Sequence, residues 1–182
     1  ANWVPDLFMK RVEQNGIWSL FDPKDVPHFV DIYGPEFETA FIEAENAKLY
    51  KEQVKARDLY SRMLRTLAQT GNGWMTFKDR ANITSNQTRE KHNVIHLSNL
   101  CTEILEVTNQ GECAVCNLGS LNLGRCVVEN SNGEMYFDFN RLKRNVRIAI
   151  RQLDRVIDRN FYPIEIAKSS NTKWRPVGLG TM

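Results

Sequence analysis

The chain is short of several things. Of its 182 residues only four are cysteine, and all of these, Cys101, Cys113, Cys116 and Cys126, fall inside one short stretch. A small secreted domain stapled by disulfides normally spreads its cysteines along the chain, so that class is disfavoured. Apolar runs are only a few residues long, far below the roughly 20 that a membrane-spanning helix needs. Neither sign of charge dominates: 24 Lys and Arg against 22 Asp and Glu leave a formal net charge of +2. That balance gives no footing for direct nucleic-acid binding or for a membrane surface. There is no internal repeat and no low-complexity segment. The first residues form no basic-then-apolar leader, so the expected setting is a reducing, cytoplasmic one. Asn82-Ile-Thr84 and Asn86-Gln-Thr88 match the glycosylation acceptor pattern, and in that setting they read as chance matches.

What is present suits a soluble core: 42% hydrophobic and 25% charged residues, in a length sufficient for one domain. Residues 5–15 read as a short helix, with Leu7, Phe8, Arg11 and Val12 at helical spacing and Asn15-Gly16 as its stop. Residues 17–21 read as a strand. A helix is expected over 35–50, with Phe37, Phe41 and Ile42 on one side. Another is expected over 54–70, carried by Leu59, Met63, Leu64 and Leu67 and stopped at Gly71-Asn-Gly73. The period then changes. Residues 74–77 and 94–97 look like strands, and the polar, aperiodic stretch 79–91 looks like a loop. Residues 101–128 alternate in short apolar runs separated by Gly111, Gly119 and Gly124. Asn132-Gly133 marks a turn between two strands. Asp138 is placed to cap a last long helix, with Leu142, Val146, Ile150, Leu153 and Ile157 as its stripe and Pro163 beyond its end. Its basic residues, from Arg141 to Arg159, read as a solvated face. The mixture is α/β or α+β. Ala1 at one end and Gly178-Leu-Gly-Thr-Met182 at the other suggest a piece of something longer.

Two clusters could carry chemistry. In Ser98-Asn-Leu-Cys-Thr-Glu-Ile104, the residues Asn99, Cys101 and Glu103 are spaced two apart. On an extended backbone they would share one face. An amide, a thiol and a carboxyl side by side could hold a polyhydroxy substrate, activate it and take a proton from it. The same alternation also describes the exposed face of an ordinary strand. The second cluster is Cys113-Ala-Val-Cys116, which could be a redox dithiol or half of a zinc site. Cys101 and Cys126 would complete four sulfurs on paper, which keeps a zinc-stabilised binding module as the alternative. His92 and His96 would face away from Cys101 on an unbroken strand and read as ordinary surface or core residues.

The segment 98–104 resembles the active-site segment of class I ribonucleotide reductase large (catalytic) subunits. Other stretches resemble that family in the expected order: Trp3-Val-Pro-Asp-Leu-Phe-Met-Lys-Arg11, Thr70-Gly-Asn-Gly-Trp74 through Lys78-Asp79, Ser85-Asn-Gln87, Ala114-Val-Cys-Asn-Leu-Gly-Ser-Leu-Asn122 and Arg175-Pro-Val-Gly-Leu-Gly180. The likeness runs over essentially the whole chain, 1–182. It implies a central segment, incomplete at both ends, of a ten-stranded α/β barrel with the radical cysteine on a loop inside it.

By this resemblance Cys101 becomes a thiyl radical that takes the ribose 3′ hydrogen. Glu103 removes the 3′-hydroxyl proton, and Asn99 holds the ribose hydroxyls. Cys116 is one thiol of the pair that supplies two electrons. Its partner cysteine lies upstream in the family, and Cys113 does not match the family pattern. No cofactor or metal is expected on the chain itself. A metal-containing small subunit would supply the radical, and a thioredoxin- or glutaredoxin-type protein would supply electrons. Implied partners are the remaining segments of the large subunit, a second large subunit, the small subunit and a ribonucleotide. The class I likeness favours the diphosphate.

Overall fold

The computed structural model describes residues 1–90 and 92–182. The chain divides into two compact units, residues 1–109 and 110–182. In the first, β1 (Asn2–Val4), α1 (Asp6–Glu13), β2 (Ile17–Phe21), α2 (Gly34–Asn46), β3 (Tyr50–Lys55), α3 (Ala56–Thr70), β4 (Met75–Phe77) and α4 (Lys78–Thr84) follow one another, with 3-10 turns at Pro27–Val30 and Asn86–Arg89. β1 pairs with β4 in parallel, and β2 pairs with β3 antiparallel. The second unit holds β5 (Asn117–Leu121), a 3-10 turn at Leu123–Cys126, β6 (Val127–Glu129), β7 (Met135–Phe137), α5 (Phe139–Arg159), α6 (Glu165–Trp174) and β8 (Val177–Thr181). There β5 and β8 are parallel, and β6 and β7 antiparallel. Parallel pairs closed through helical crossovers make this a mixed α/β chain, a partial piece of a barrel rather than a closed one.

The first unit is held by aromatics around Trp18. Its ring stacks on Phe41 at 4.3 Å and meets the edge of Phe8 at 5.1 Å, joining two buried clusters. Val4, Phe8 and Ala56 form one, and Leu7, Phe37 and Phe41 the other. Arg11 lies across the same rings and grips Glu45 with both guanidinium nitrogens. The Ser19 hydroxyl donates to that carboxylate as well. In the second unit α5 packs on the β5–β8 pair, with Leu153 against Gly119, and Gly178 lies so close to Leu118 that a Cβ there would come within 2.6 Å of it.

α1 and α2 are preceded by Pro5 and Tyr33, which supply no capping acceptor. The need is met from a distance. The buried Asp79 carboxylate accepts from the N–H of Asp6 at 2.7 Å and of Gly34 at 2.8 Å, so one side chain caps two helices. Lys78, also buried, donates from Nζ to the Phe29 carbonyl at 2.6 Å and lies 4.4 Å over the Phe37 ring. Burial pushes its ammonium down to about 8, although Asp79 and Asp31 pull the other way.

Several sequence readings are corrected here. The helix expected to reach residue 50 ends at Asn46, and β3 takes up residues 50–55 before α3 begins. The stretch 79–91 is not a loop: α4 and the turn Asn86–Arg89 occupy it, and residue 91 lies outside the described residues. Its period was hidden because its polar residues face inward; Asp79, Asn82, Gln87 and Thr88 are all buried. Residues 94–97 form no strand, for a reason given below. The turn at Asn132-Gly133, the Asp138 cap (accepting from Arg141 N–H at 2.9 Å) and the last long helix are where they were expected. β1, α6 and β8 were not anticipated. Residues 141, 143, 144, 147, 151, 155 and 159 of α5 are all exposed, as a solvated face should be.

Replacing Asp79 by Ala leaves two helix-terminal N–H groups without acceptors. It is expected to cost about 3 kcal/mol, and Asp79→Asn less, in urea unfolding followed by tryptophan fluorescence. For Lys78 the sign runs the other way from a salt-bridged lysine. The unfolded chain keeps its proton to about pH 10.4, whereas the folded chain releases it near 8. The Lys78 contribution should therefore make stability rise between those values, and Lys78→Met should remove that rise relative to the parent.

Candidate functional site

Asn99, Cys101 and Glu103 lie in the first unit, Cys116 in the second. The approach to the first group is built by side-chain amides. Asn82 of α4 donates from Nδ2 to the Ile95 carbonyl at 3.0 Å and accepts the Ile95 N–H at Oδ1 at 2.8 Å. A single amide thus does for Ile95 what a neighbouring strand would do, so its buried backbone groups are satisfied although 94–97 joins no ladder. Gln87 accepts the Val107 N–H at 2.9 Å, and Asn93 donates to the Gln87 carbonyl at 2.9 Å. Ile95 and Val107, fully buried, anchor the segments entering and leaving the site. His96 bridges Thr108 at 2.7 Å and Asp31 at 2.9 Å, tying those two segments together. The exposed His92 meets Glu90. Asn82 has both ends of its amide engaged and is buried, so the acceptor pattern at 82–84 is indeed incidental.

Between these anchors, residues 98–104 form a closed loop. The Ser98 hydroxyl donates to the Ile104 carbonyl at 2.7 Å, and the Asn99 Oδ1 accepts the Ile104 N–H at 3.0 Å. Both backbone groups of Ile104 are therefore held by side chains from the other end of the loop. A turn, Thr102 N–H to the Asn99 carbonyl at 3.2 Å, brings the chain round. Thr102 has φ +65°, a left-handed conformation that a β-branched residue adopts only under constraint.

This overturns the extended-strand premise: Asn99, Cys101 and Glu103 do not alternate on a strand. They sit around a tight turn, with Cys101 and Glu103 exposed and Asn99 half-buried. The Asn99 carbonyl end is committed to the loop, so only its Nδ2 end is left to meet a ligand. Leu100, 75% exposed, stands beside the thiol. Ser98 was not singled out from the sequence. The signal for it was there, since a Ser-Asn pair just before a turn commonly bonds back to its own backbone.

In the second unit all the cysteines remain free thiols: Cys116 exposed, Cys113 half-buried and Cys126 buried. Asn117, next to Cys116, starts β5. Among the described residues no three His, Cys, Asp or Glu side chains gather in a group able to hold a metal ion, so the geometry lends nothing to the zinc-site reading. Nor, among them, is any helix long and apolar enough to cross a membrane.

A family model described as the barrel domain of ribonucleotide reductase matches residues 1–182. The chain is 47% identical over 188 residues to the ribonucleoside-diphosphate reductase subunit alpha of Chlamydia muridarum, covering 100% of this chain and 17% of that protein. It is 41% identical over 195 residues to the large subunit from Arabidopsis thaliana, covering 99% of this chain and 24% of that one. To the large subunit from Danio rerio it is 42% identical over 180 residues, covering 99% and 22%. The chain thus spans about a fifth of the length of these relatives.

The double hold on Ile104 has a direct readout. Asn99→Ala should speed hydrogen exchange at the Ile104 amide by about fivefold, the equivalent of a hydrogen bond worth about 1 kcal/mol. Asn99→Asp, which keeps the acceptor, should leave that amide protected.

Proposed function

The chain belongs to the ribonucleotide reductase family, as part of its barrel domain, and from that premise we propose that it carries the radical-bearing loop and one redox thiol of an enzyme that reduces ribonucleoside diphosphates to deoxyribonucleotides, the precursors of DNA. The observation that carries this reading is the stapled loop 98–104, with an exposed thiol at its turn and an amide and a carboxyl on either side.

Cys101 acts as a thiyl radical that takes the hydrogen atom from C3′ of the ribose and returns it at the end. Glu103 accepts the 3′-hydroxyl proton as the 2′-hydroxyl departs as water. Asn99 donates from Nδ2 to a ribose hydroxyl. The net change is balanced by two thiols, Cys116 and one outside this chain. They lose two protons and two electrons to form a disulfide, while the C2′–OH bond is replaced by C2′–H and one water is released. Thiol-based chemistry suits a reducing cytoplasm. A thioredoxin- or glutaredoxin-type protein then restores the dithiol. A metal-containing small subunit provides the oxidising equivalent that makes the radical.

A thiyl radical needs shelter from water and stray reductants. In this chain the thiol is exposed, and Leu97, Leu100 and Leu105, all within four residues of it in sequence, are each at least 36% exposed. Those apolar side chains form the floor that the remaining barrel segments of the large subunit cover, in a subunit that pairs with a second copy.

The isolated chain is expected to give no deoxynucleotide. In the complete enzyme, Cys101→Ser should reduce turnover to background with nucleotide binding retained, and Glu103→Gln should lower kcat by about a hundredfold or more. Full activity in Cys101→Ser would refute the radical role.

A further inference from the structure

The segment carrying Cys116 is gripped on both sides by two consecutive buried residues of α6. Ser170 is 1% exposed, and its hydroxyl accepts the Cys113 N–H at 3.0 Å. Asn171 is 0% exposed, and its Oδ1 accepts from Asn117 Nδ2 at 2.7 Å. The Asn117 amide also donates to the Pro176 carbonyl at 2.8 Å. Asn171 Nδ2 in turn donates to the Tyr162 hydroxyl at 2.5 Å, and that hydroxyl donates to the Ile157 carbonyl at 2.6 Å. Three residues lie between the two grips, and one of them, Cys116, carries an exposed thiol directly before the fixed Asn117.

An apolar residue could have filled the space at 171 with no hydrogen bonds to satisfy. A chain of buried amides and hydroxyls that meets its own needs fixes geometry instead, because each member is costly to leave unpaired. The geometry it fixes is that of the backbone on either side of a thiol. This matters for a disulfide, whose sulfurs must meet at about 2.05 Å with a Cα separation near 5.5 Å. A shift of about 1 Å in a reacting group can cost two orders of magnitude in rate.

We propose that Ser170 and Asn171 are positioning residues for Cys116, holding residues 113–117 so that its thiol is presented for disulfide formation with the second thiol. The role rests on the reading of Cys116 as a redox thiol. In that step the two S–H bonds and the C2′–O bond break, and one S–S bond and one C2′–H bond form. The two electrons go to the ribose C2′, with one thiol proton joining the departing hydroxyl as water and the other ending at C2′.

The test uses the complete reductase with its radical-generating subunit, carrying Ser170→Ala, Asn171→Ala or Ser170→Thr. Alkylation by iodoacetamide is resolved by site with mass spectrometry, and deoxynucleotide formation by pre-reduced enzyme is followed over a single turnover. Ser170→Ala and Asn171→Ala, each of which removes the acceptor, are expected to change the Cys116 alkylation rate by about threefold or more while that of Cys101 is unchanged. They should slow single-turnover formation by about tenfold at constant substrate KM. Ser170→Thr, which keeps the hydroxyl, should restore both. Parental Cys116 alkylation and turnover in the folded variants would overturn the proposal. So would a change shared equally by Cys101 and Cys116, or a raised KM, since each is what loosened packing alone produces. If Asn171→Ala does not fold, Ser170→Ala decides. A Cys116→Ser enzyme with full turnover would remove the redox reading, and the alkylation result would still decide whether α6 positions that thiol.

Discussion

The segment leading into the first candidate site depends on one amide, that of Asn82, closing on both backbone groups of Ile95. A buried backbone N–H or carbonyl without a partner costs about 1–3 kcal/mol, so a buried extended segment must find partners somewhere. A strand alongside is the usual answer. Here the partner is a side chain from a two-turn helix, which leaves the segment free to depart from strand geometry immediately afterwards. The tight turn bearing Cys101 needs that freedom: a continuing ladder would hold residues 98–104 extended.

The same short helix faces two ways. Asp79 and Asn82 are three residues apart and so neighbours on the helix surface. The carboxylate goes to the starts of α1 and α2, while the amide goes to Ile95. The aromatic core around Trp18 and the loop around Cys101 are thus referred to one rigid element. The expensive feature of this arrangement is the buried Lys78 ammonium, pushed down to about 8 by its surroundings. It is kept in place by a carbonyl and an aromatic face rather than by direct contact with an opposite charge.

The sequence made some of this legible and hid the rest for physical reasons. Apolar periodicity revealed α1, α3 and α5, because each gathers its apolar residues at helical spacing between polar ones, although only Leu7 and Phe8 of α1, Ala56 of α3 and Ile157 of α5 are buried. It could not reveal α4, whose inward face is Lys, Asp and Asn. Nor did it reveal α6, whose fully buried residues are Ser170 and Asn171. Both helices use their interior for hydrogen bonding, and a pattern that equates polar with exposed reads them as loop. At the site, residue identity and family likeness pointed to 98–104, whereas spacing alone pointed to the wrong backbone. Alternation by two implies a shared face only if the chain is extended, and Thr102 at φ +65° shows that it turns. Nothing in spacing could show that Asn99 spends its carbonyl on the loop, since that follows only once Ile104 is brought back beside it.

The two cysteine segments solve a common problem by different routes. An exposed thiol gets little restraint from its own packing, so its position is set by the backbone on either side. At Cys101 the restraint is local: Ser98 and Asn99 reach across their own turn to Ile104, a closure over a few residues that costs little chain entropy. At Cys116 it is distant: residues 170 and 171 come from more than fifty positions away, and the hydroxyl and amide they use belong to buried side chains. A local closure can flex as a unit with its loop, whereas a restraint from a packed helix moves only if that helix moves. Under the proposed chemistry the first thiol would face C3′ of a bound sugar, which its own loop presents, and the second would meet another sulfur at bonding distance, which the distant helix sets.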